Sequence, residues 1–207
     1  MRMGDQLTDV RRCPHCSIAS PFLYRVWSTN GSEGSPRTDG QGLRAWGAYA
    51  CRSCGGIVTA EAYGSYIGQE AQYIYPSTKQ AHEDLPPVAR AFLQQAYETL
   101  HAPDAAAVMA GSAVDAMLKH HNFTEGSLYT RIDKALTENL LTKGMADWAH
   151  EVRLGSNRPR HADAERPHVT HNEARQSVEF AEALGNFLFV LTAKIDRGII
   201  AAREADQ

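Results

Sequence analysis

All four cysteines of the 207-residue chain fall in two C-x-x-C pairs, Cys13-Pro14-His15-Cys16 and Cys51-Arg52-Ser53-Cys54. A thiolate pair at this spacing wraps one side of a tetrahedral ion. A second pair closes the shell and leaves no open position for a substrate. The pattern therefore predicts a structural zinc centre held by Cys13, Cys16, Cys51 and Cys54. A redox pair needs only one C-x-x-C, in a βαβ context that this segment lacks. His15 lies inside the first knuckle and could replace a thiolate, but with four cysteines present it is expected beside the metal or in solvent.

A second concentration of chemistry lies between residues 150 and 171, where four arginines and four histidines share 22 positions with three carboxylates. Arginine presents a planar fork to phosphate oxygens. Histidine gives or takes a proton near neutral pH. Together they meet the needs of RNA cleavage without a metal: a base for the 2′-hydroxyl, an acid for the leaving oxygen and a cation for the charge on phosphorus oxygens. Solvated interhelix loops gather the same residue types, and a histidine such as His161 can instead cap a helix end.

The elements that must position these groups differ along the chain. Around the cysteines the reading is β: Phe22 to Trp27 alternates, Trp46 to Ala50 leads into the second knuckle, and Ile57 to Ala60 leaves it. This predicts a zinc ribbon over residues 1–75, with the Gly/Ser-rich stretch from Ser28 to Gly42 as a mobile loop. Metal binding would fold a segment too small to fold alone, a contribution of about 10 kcal/mol or more in zinc-finger peptides.

From residue 76 onward the spacing is helical. Pro87 opens a helix striped by Val88, Phe92, Ala96 and Leu100. A second begins at Pro103 with Met109, Ala113 and Met117, beside Val114 and Leu118. A third carries Leu128, Ile132, Leu136 and Leu140, and a fourth, from about Lys143, presents Met145, Trp148 and Val152. Thr170-His171-Asn172-Glu173 is a capping box that starts a last helix running to about Arg203. That helix shows two apolar faces, one through Val178, Gly185, Ile195 and Ile199 and one through Phe180, Phe187 and Leu191. It is either central in one bundle or shared with a second subunit.

Hydrophobic residues make up 43% and charged residues 22% of the chain, which excludes a wholly disordered protein. No run approaches the roughly 18 apolar residues of a membrane span. The start, Met1-Arg2-Met3-Gly4-Asp5-Gln6, lacks a signal peptide's apolar stretch, so a cytoplasmic location is expected and metal is favoured over disulfides. Net charge is −3, but residues 1–60 hold seven Arg and no Lys against four acids, leaving +3 there and −6 in the remainder. Any nucleic-acid surface must be local.

The two cysteine pairs, Tyr75-Pro76, Leu85-Pro86, and Trp148-Ala149-His150-Glu151-Val152-Arg153 followed by Asn157 and His161 resemble domain-of-unknown-function family 4145, over nearly the whole chain. That family is a zinc-ribbon-headed branch of the HEPN-like helical domains. The resemblance implies a mainly α protein, with an N-terminal β zinc ribbon and a HEPN-like antiparallel bundle over residues 76–207. It also implies a homodimer and an RNA-directed function: a metal-independent endoribonuclease of defence, toxin or restriction systems that leaves a 2′,3′-cyclic phosphate. Many branches are not enzymes, so a non-catalytic adaptor for a protein or nucleic-acid partner is the alternative.

Carried over, Arg153, Asn157 and His161 are the catalytic set. HEPN nucleases usually place their arginine directly before the polar residue, where this chain has Ser156. Pro159 is expected to end or kink the helix. Arg158 or Arg160 would then take the phosphate. Relatives also show an Arg-rich turn before an acid in the second helix. Here the stretch Ala110 to Asp115 keeps the acid and lacks the basic partners: one cation fewer at the site if those partners bind phosphate or the loop, or else only a lost surface salt bridge worth under about 1 kcal/mol.

Overall fold

A computed structural model describes residues 1–29, 38–64, 68–161 and 165–205, except for the side chains of residues 160, 161 and 205. The chain divides into two compact units, Met1–Lys79 and Gln80–Gln207.

In the first unit, branched and aromatic residues in alternation form four strands: β1 (Leu23–Ser28), β2 (Arg44–Cys51), β3 (Ile57–Tyr63) and β4 (Tyr73–Tyr75). They make an antiparallel meander in the order β1-β2-β3-β4. The period of two buries one face. Leu23, Tyr49, Val58, Ala60 and Ala62 pack there with Met3, Leu7 and Val10 from the N-terminal segment. β4 arises from a tyrosine-rich stretch to which the sequence reading gave no strand. Much of the expected Gly/Ser-rich loop, residues 30–37, lies outside the described residues.

The second unit is helical: α1 (Pro87–Glu98), α2 (Pro103–His120), α3 (Leu128–Thr137), α4 (Lys143–His161), α5 (His171–Gly185), a π turn (Asn186–Val190) and α6 (Leu191–Ala205). With a four-stranded sheet in one unit and the helices in the other, the chain is mixed α and β rather than mainly α. Among the described residues no helix is long and apolar enough to cross a membrane.

Local chemistry sets the helix ends. Pro87 occupies the first turn of α1 and Pro103 that of α2. Ser127 accepts from the Thr130 amide at the start of α3, and Thr142 from the Met145 amide (3.3 Å) at the start of α4. At α5 the capping box is complete: the Thr170 hydroxyl accepts from the Glu173 amide (3.2 Å), and Glu173 accepts from the Thr170 amide (2.7 Å).

Three expectations need correction. α1 buries Ala89, Leu93, Ala96 and Tyr97, with Phe92 and Leu100 packed against them; of the stripe read, Val88 alone is out of place, at 62% exposure. α4 does not end at Pro159 but continues to His161. The proline sits two residues before the helix end, where it gives the carbonyl four residues back no donor. The last helix does span the expected residues, but as α5, the π turn and α6. It is buried through Val178, Ala181, Leu184 and Leu188, whereas Leu191, Ile195, Ile199 and Ile200 of α6 stand about half exposed.

Alanine dominates the helical core. Ala106, Ala107, Ala110 and Ala113 line the inner side of α2 at essentially zero exposure. Small side chains let α2 run close to its neighbours. At Gly111 a Cβ would lie 2.7 Å from Ser156 Oγ and 2.8 Å from its Cβ, so α2 and α4 cross at a point with no room for a methyl group.

Candidate functional site

The cysteine pairs form two knuckles with the same backbone pattern. In each, the residue four after the first cysteine donates to that cysteine's carbonyl: Ser17 to Cys13 (2.9 Å) and Gly55 to Cys51 (2.7 Å). The first cysteine's amide in turn donates to the residue five ahead, Ile18 or Gly56. Closing so tight a loop puts Ser17 and Gly55 at φ of 60° and 71°, the left-handed region.

The knuckles bring all four Sγ atoms within 4.8 Å of one another. Cys13 and Cys54 Sγ are 3.9 Å apart. A tetrahedral ion with metal–sulfur bonds of about 2.3 Å requires sulfurs about 3.8 Å apart, while a disulfide requires about 2.0 Å. The residues therefore fit a metal ion held by four sulfurs. Burial pushes the Cys13 thiol up and carries Cys16 to about 12. Burial also raises Cys51, but donors from the Cys54 and Ser53 backbone and from the Cys13 and Cys54 thiols outweigh it and leave that thiol low. The Gly56 amide points at Cys54 Sγ (3.4 Å), a donor to a sulfur that would carry negative charge. His15 turns away from the sulfurs and donates through Nε2 to the Ile57 carbonyl (2.8 Å), tying the first knuckle to β3.

The second site is a cleft of about 700 Å³ in the helical unit, between α1, α2, α3 and α4. Pro86, Val88, Phe92 and Leu128 give it an apolar side; Asp115, Lys119, Arg131, Arg153 and Asn157 give it a charged one. Of the sequence-predicted catalytic set, Arg153 and Asn157 line this cleft one helical turn apart on α4. The side chains of His161 and Arg160 lie outside the described residues, but α4 carries its backbone to residue 161, four beyond Asn157.

Arg158 is placed differently. Its guanidinium pairs with Glu173 Oε1 (2.8 Å), which Arg166 also contacts (2.9 Å), and it is not among the cleft's lining residues. The backbone amide of Thr170, then Arg158, hold the Glu173 carboxyl down at about 2. Arg158 thus secures the start of α5.

The acid in α2 does have basic partners, one from α3 and one from its own helix. Arg131 of α3 donates to Asp115 through a short contact, and Lys119 reaches it from one turn on (2.7 Å). Arg131 also donates to the Gly126 carbonyl (2.7 Å), so this cation is engaged in holding α3 to α2. Arg131 lies 16 positions away, which no local motif reveals, whereas Lys119 is an ordinary i, i+4 partner.

Arg153 is bound differently. Its guanidinium lies over the Tyr129 ring, 5.3 Å from the centroid, and no carboxylate pairs with it among the described residues. Its Nε is buried without a hydrogen-bond partner among them. Tyr129 is flanked by the His150 ring at 4.7 Å, and His150 donates through Nε2 to Asp133 Oδ1 (3.1 Å). This Asp133–His150–Tyr129–Arg153 chain was not read from the sequence. Its members alternate between α3 and α4, and only the packing of those helices joins them.

Compared with known proteins, the chain matches over residues 89–201 the model of a family described as a domain of unknown function, DUF4145. No curated protein and no solved structure matches it.

Proposed function

The chain belongs to the DUF4145 family, and we propose that its helical unit is an RNA-directed, HEPN-like domain whose cleft receives a phosphodiester and cleaves it without a metal in the reaction. The observation that carries this reading is Arg153. It is an arginine without a carboxylate partner among the described residues, fixed over Tyr129 in a cleft that Asn157 shares. A buried donor without a partner costs about 1–3 kcal/mol, a cost that an anionic oxygen would remove.

In the proposed reaction Arg153 holds the phosphate oxygens and Asn157 orients them. His161, one turn further along α4, acts as base or acid. The 2′-oxygen attacks phosphorus as its proton leaves to the base, the bond from phosphorus to the 5′-oxygen breaks, and that oxygen takes a proton. The products are a 2′,3′-cyclic phosphate and a 5′-hydroxyl. The cysteine centre would hold zinc as a fold-forming ion, in keeping with thiols that stay reduced in a cytoplasm. The half-exposed Leu191, Ile195 and Ile199 on α6 support a homodimer, since that stripe has no cover in the single chain.

One observation favours binding without cleavage. Ser156, in the place where HEPN nucleases usually carry their arginine, is 1% exposed and packed against Gly111. The test is to incubate wild-type protein and His161→Ala with total RNA in EDTA, after confirming equal mass by light scattering and retained zinc by elemental analysis. Cleavage by the wild type alone, with cyclic-phosphate ends, supports the nuclease. RNA bound but left intact by both proteins makes the unit an adaptor, and neither binding nor cleavage overturns the RNA-directed reading.

A further inference from the structure

The outer face of the sheet carries an unusual set of rings. In an antiparallel pair, opposed residues point to the same side, so the register Trp27↔Ala48↔Thr59↔Tyr75 forms one row across all four strands. The register Trp46↔Glu61↔Tyr73 forms part of the next row. A bulge between Arg25 and Trp27 makes this possible. Without the extra residue, strict alternation would send Trp27 to the core side with Leu23 and Arg25, and with it Trp27 joins Tyr24 outside.

The rings are open. Trp27 is 57% exposed, Tyr73 56%, Tyr75 46% and Tyr24 42%. Trp46 and Tyr75 pack together at 6.0 Å, and between the Trp27 and Tyr75 edges the floor is only Ala48 and Thr59. Adjacent rows lie about 7 Å apart along a strand, twice the roughly 3.4 Å rise of a stacked nucleic-acid strand. A flexible single strand can lay separated bases on such rings, and a duplex cannot.

Charge points to a polyanion. Residues 1–60 carry +3 in a chain of net −3, with arginine as their only basic residue apart from histidine. Of these, Arg52 stands exposed over Phe22 (5.7 Å) beyond one end of β2, while Arg44, buried over Tyr63 (3.8 Å) at the other end, is taken up by an acid of the face. The acid on this face, Glu61, is neutralised by Arg44 at 2.8 Å.

We propose that the aromatic face of the sheet, centred on Trp27, Trp46, Tyr73 and Tyr75, is a stacking platform for single-stranded RNA. It is a binding site separate from the Arg153 cleft, and the choice of RNA over DNA rests on the RNA-directed reading of that cleft.

The test measures anisotropy of a labelled oligouridylate of about twelve nucleotides with zinc-loaded full-length protein. It uses the His161→Ala background, so that cleavage cannot consume the probe. Trp27→Ala and Tyr73→Ala are each expected to weaken binding by roughly fivefold or more, as loss of one stacked base does. Trp27→Phe is expected to retain most of it. The same losses on Trp27→Ala and Tyr73→Ala are expected when Arg153→Ala has first removed the cleft's phosphate contact, as for a separate site. Unchanged binding in both alanine variants overturns the platform, as does equal competition by duplex RNA. Equal affinity for the matching DNA oligomer overturns the assignment to RNA. Because cleavage is not the readout, a wild type that never cuts RNA but loses the oligomer on Trp27→Ala would leave this site standing while the nuclease reading falls.

Discussion

The two units hold themselves together by different means. The first has a short core built on Leu23, Tyr49 and Val58, closed by a cysteine cluster that joins residues 13–16 to residues 51–54. The second has a continuous core in which alanine and glycine permit close helix crossings, supplemented by ion pairs at helix ends. With a metal held by those cysteines the first unit would depend on a few strong bonds, while the second depends on many weak contacts whose loss is graded. A single substitution can therefore abolish the first fold, while the second should respond in proportion to the volume and charge altered.

The largest break in that contrast is expected at the cysteines. Cys51→Ser should remove most of a metal contribution of about 10 kcal/mol. The sheet unit then unfolds while the helical far-UV signal persists. Loss of both signals in one transition would show that the units do not fold independently, and elemental analysis of the wild type should return one zinc per chain.

In the helical unit, Leu93→Ala empties a site that is 1% exposed and should cost about 3 kcal/mol in urea denaturation. Gly111→Ala tests overpacking instead. Its new methyl group meets Ser156 and should cost about 2 kcal/mol, part of which Ser156→Gly should restore in the double variant.

Glu173 gives a pH-dependent version of the same contrast. Its carboxyl lies at about 2 in the fold against an ordinary 4.5, so its contribution is complete above about pH 4.5 and is lost as pH falls through about 2. Allowing for its partial exposure, Glu173→Gln should cost about 2 kcal/mol at pH 7 and much less near pH 2. A gap between variant and wild type that does not shrink on acidification would place the stabilisation in packing rather than in charge. The smallest effect belongs to Val88→Ala. At 62% exposure that change should stay within about 0.5 kcal/mol, although the sequence pattern reads Val88 as core.

How far the sequence could be read follows from which interactions are local. The cysteine spacing, β1 to β3 and the Thr170–Glu173 box were legible, because each depends on residues within one turn or one strand. The α1 stripe was read correctly at Phe92, Ala96 and Leu100 but not at Val88, because two of the four buried residues, Ala89 and Ala96, are alanines whose weak hydrophobicity leaves the edge of the face unmarked. Pro159 does not end α4, which runs two residues past it, although proline leaves one backbone donor missing there. In the candidate site, Arg153 and Asn157 were found on the sequence. The Arg131–Asp115 pair, the engagement of Arg158 by Glu173 and the Tyr129–His150 neighbourhood were not.

The sequence by itself determined where a metal could be gripped, where helices begin, and that arginine and histidine concentrate near the end of α4. Spacing along one chain segment settles such features, because the backbone's own periods of two and of 3.6 place the groups. Only the tertiary structure decided which arginines are already paired and which one lines the cleft with no carboxylate partner among the described residues, and it alone aligned Trp27 with Tyr75 across four strands. Those outcomes depend on contacts between segments far apart in the chain. A bulge of one residue or a helix crossing at one glycine redirects a side chain without leaving a mark in the local pattern.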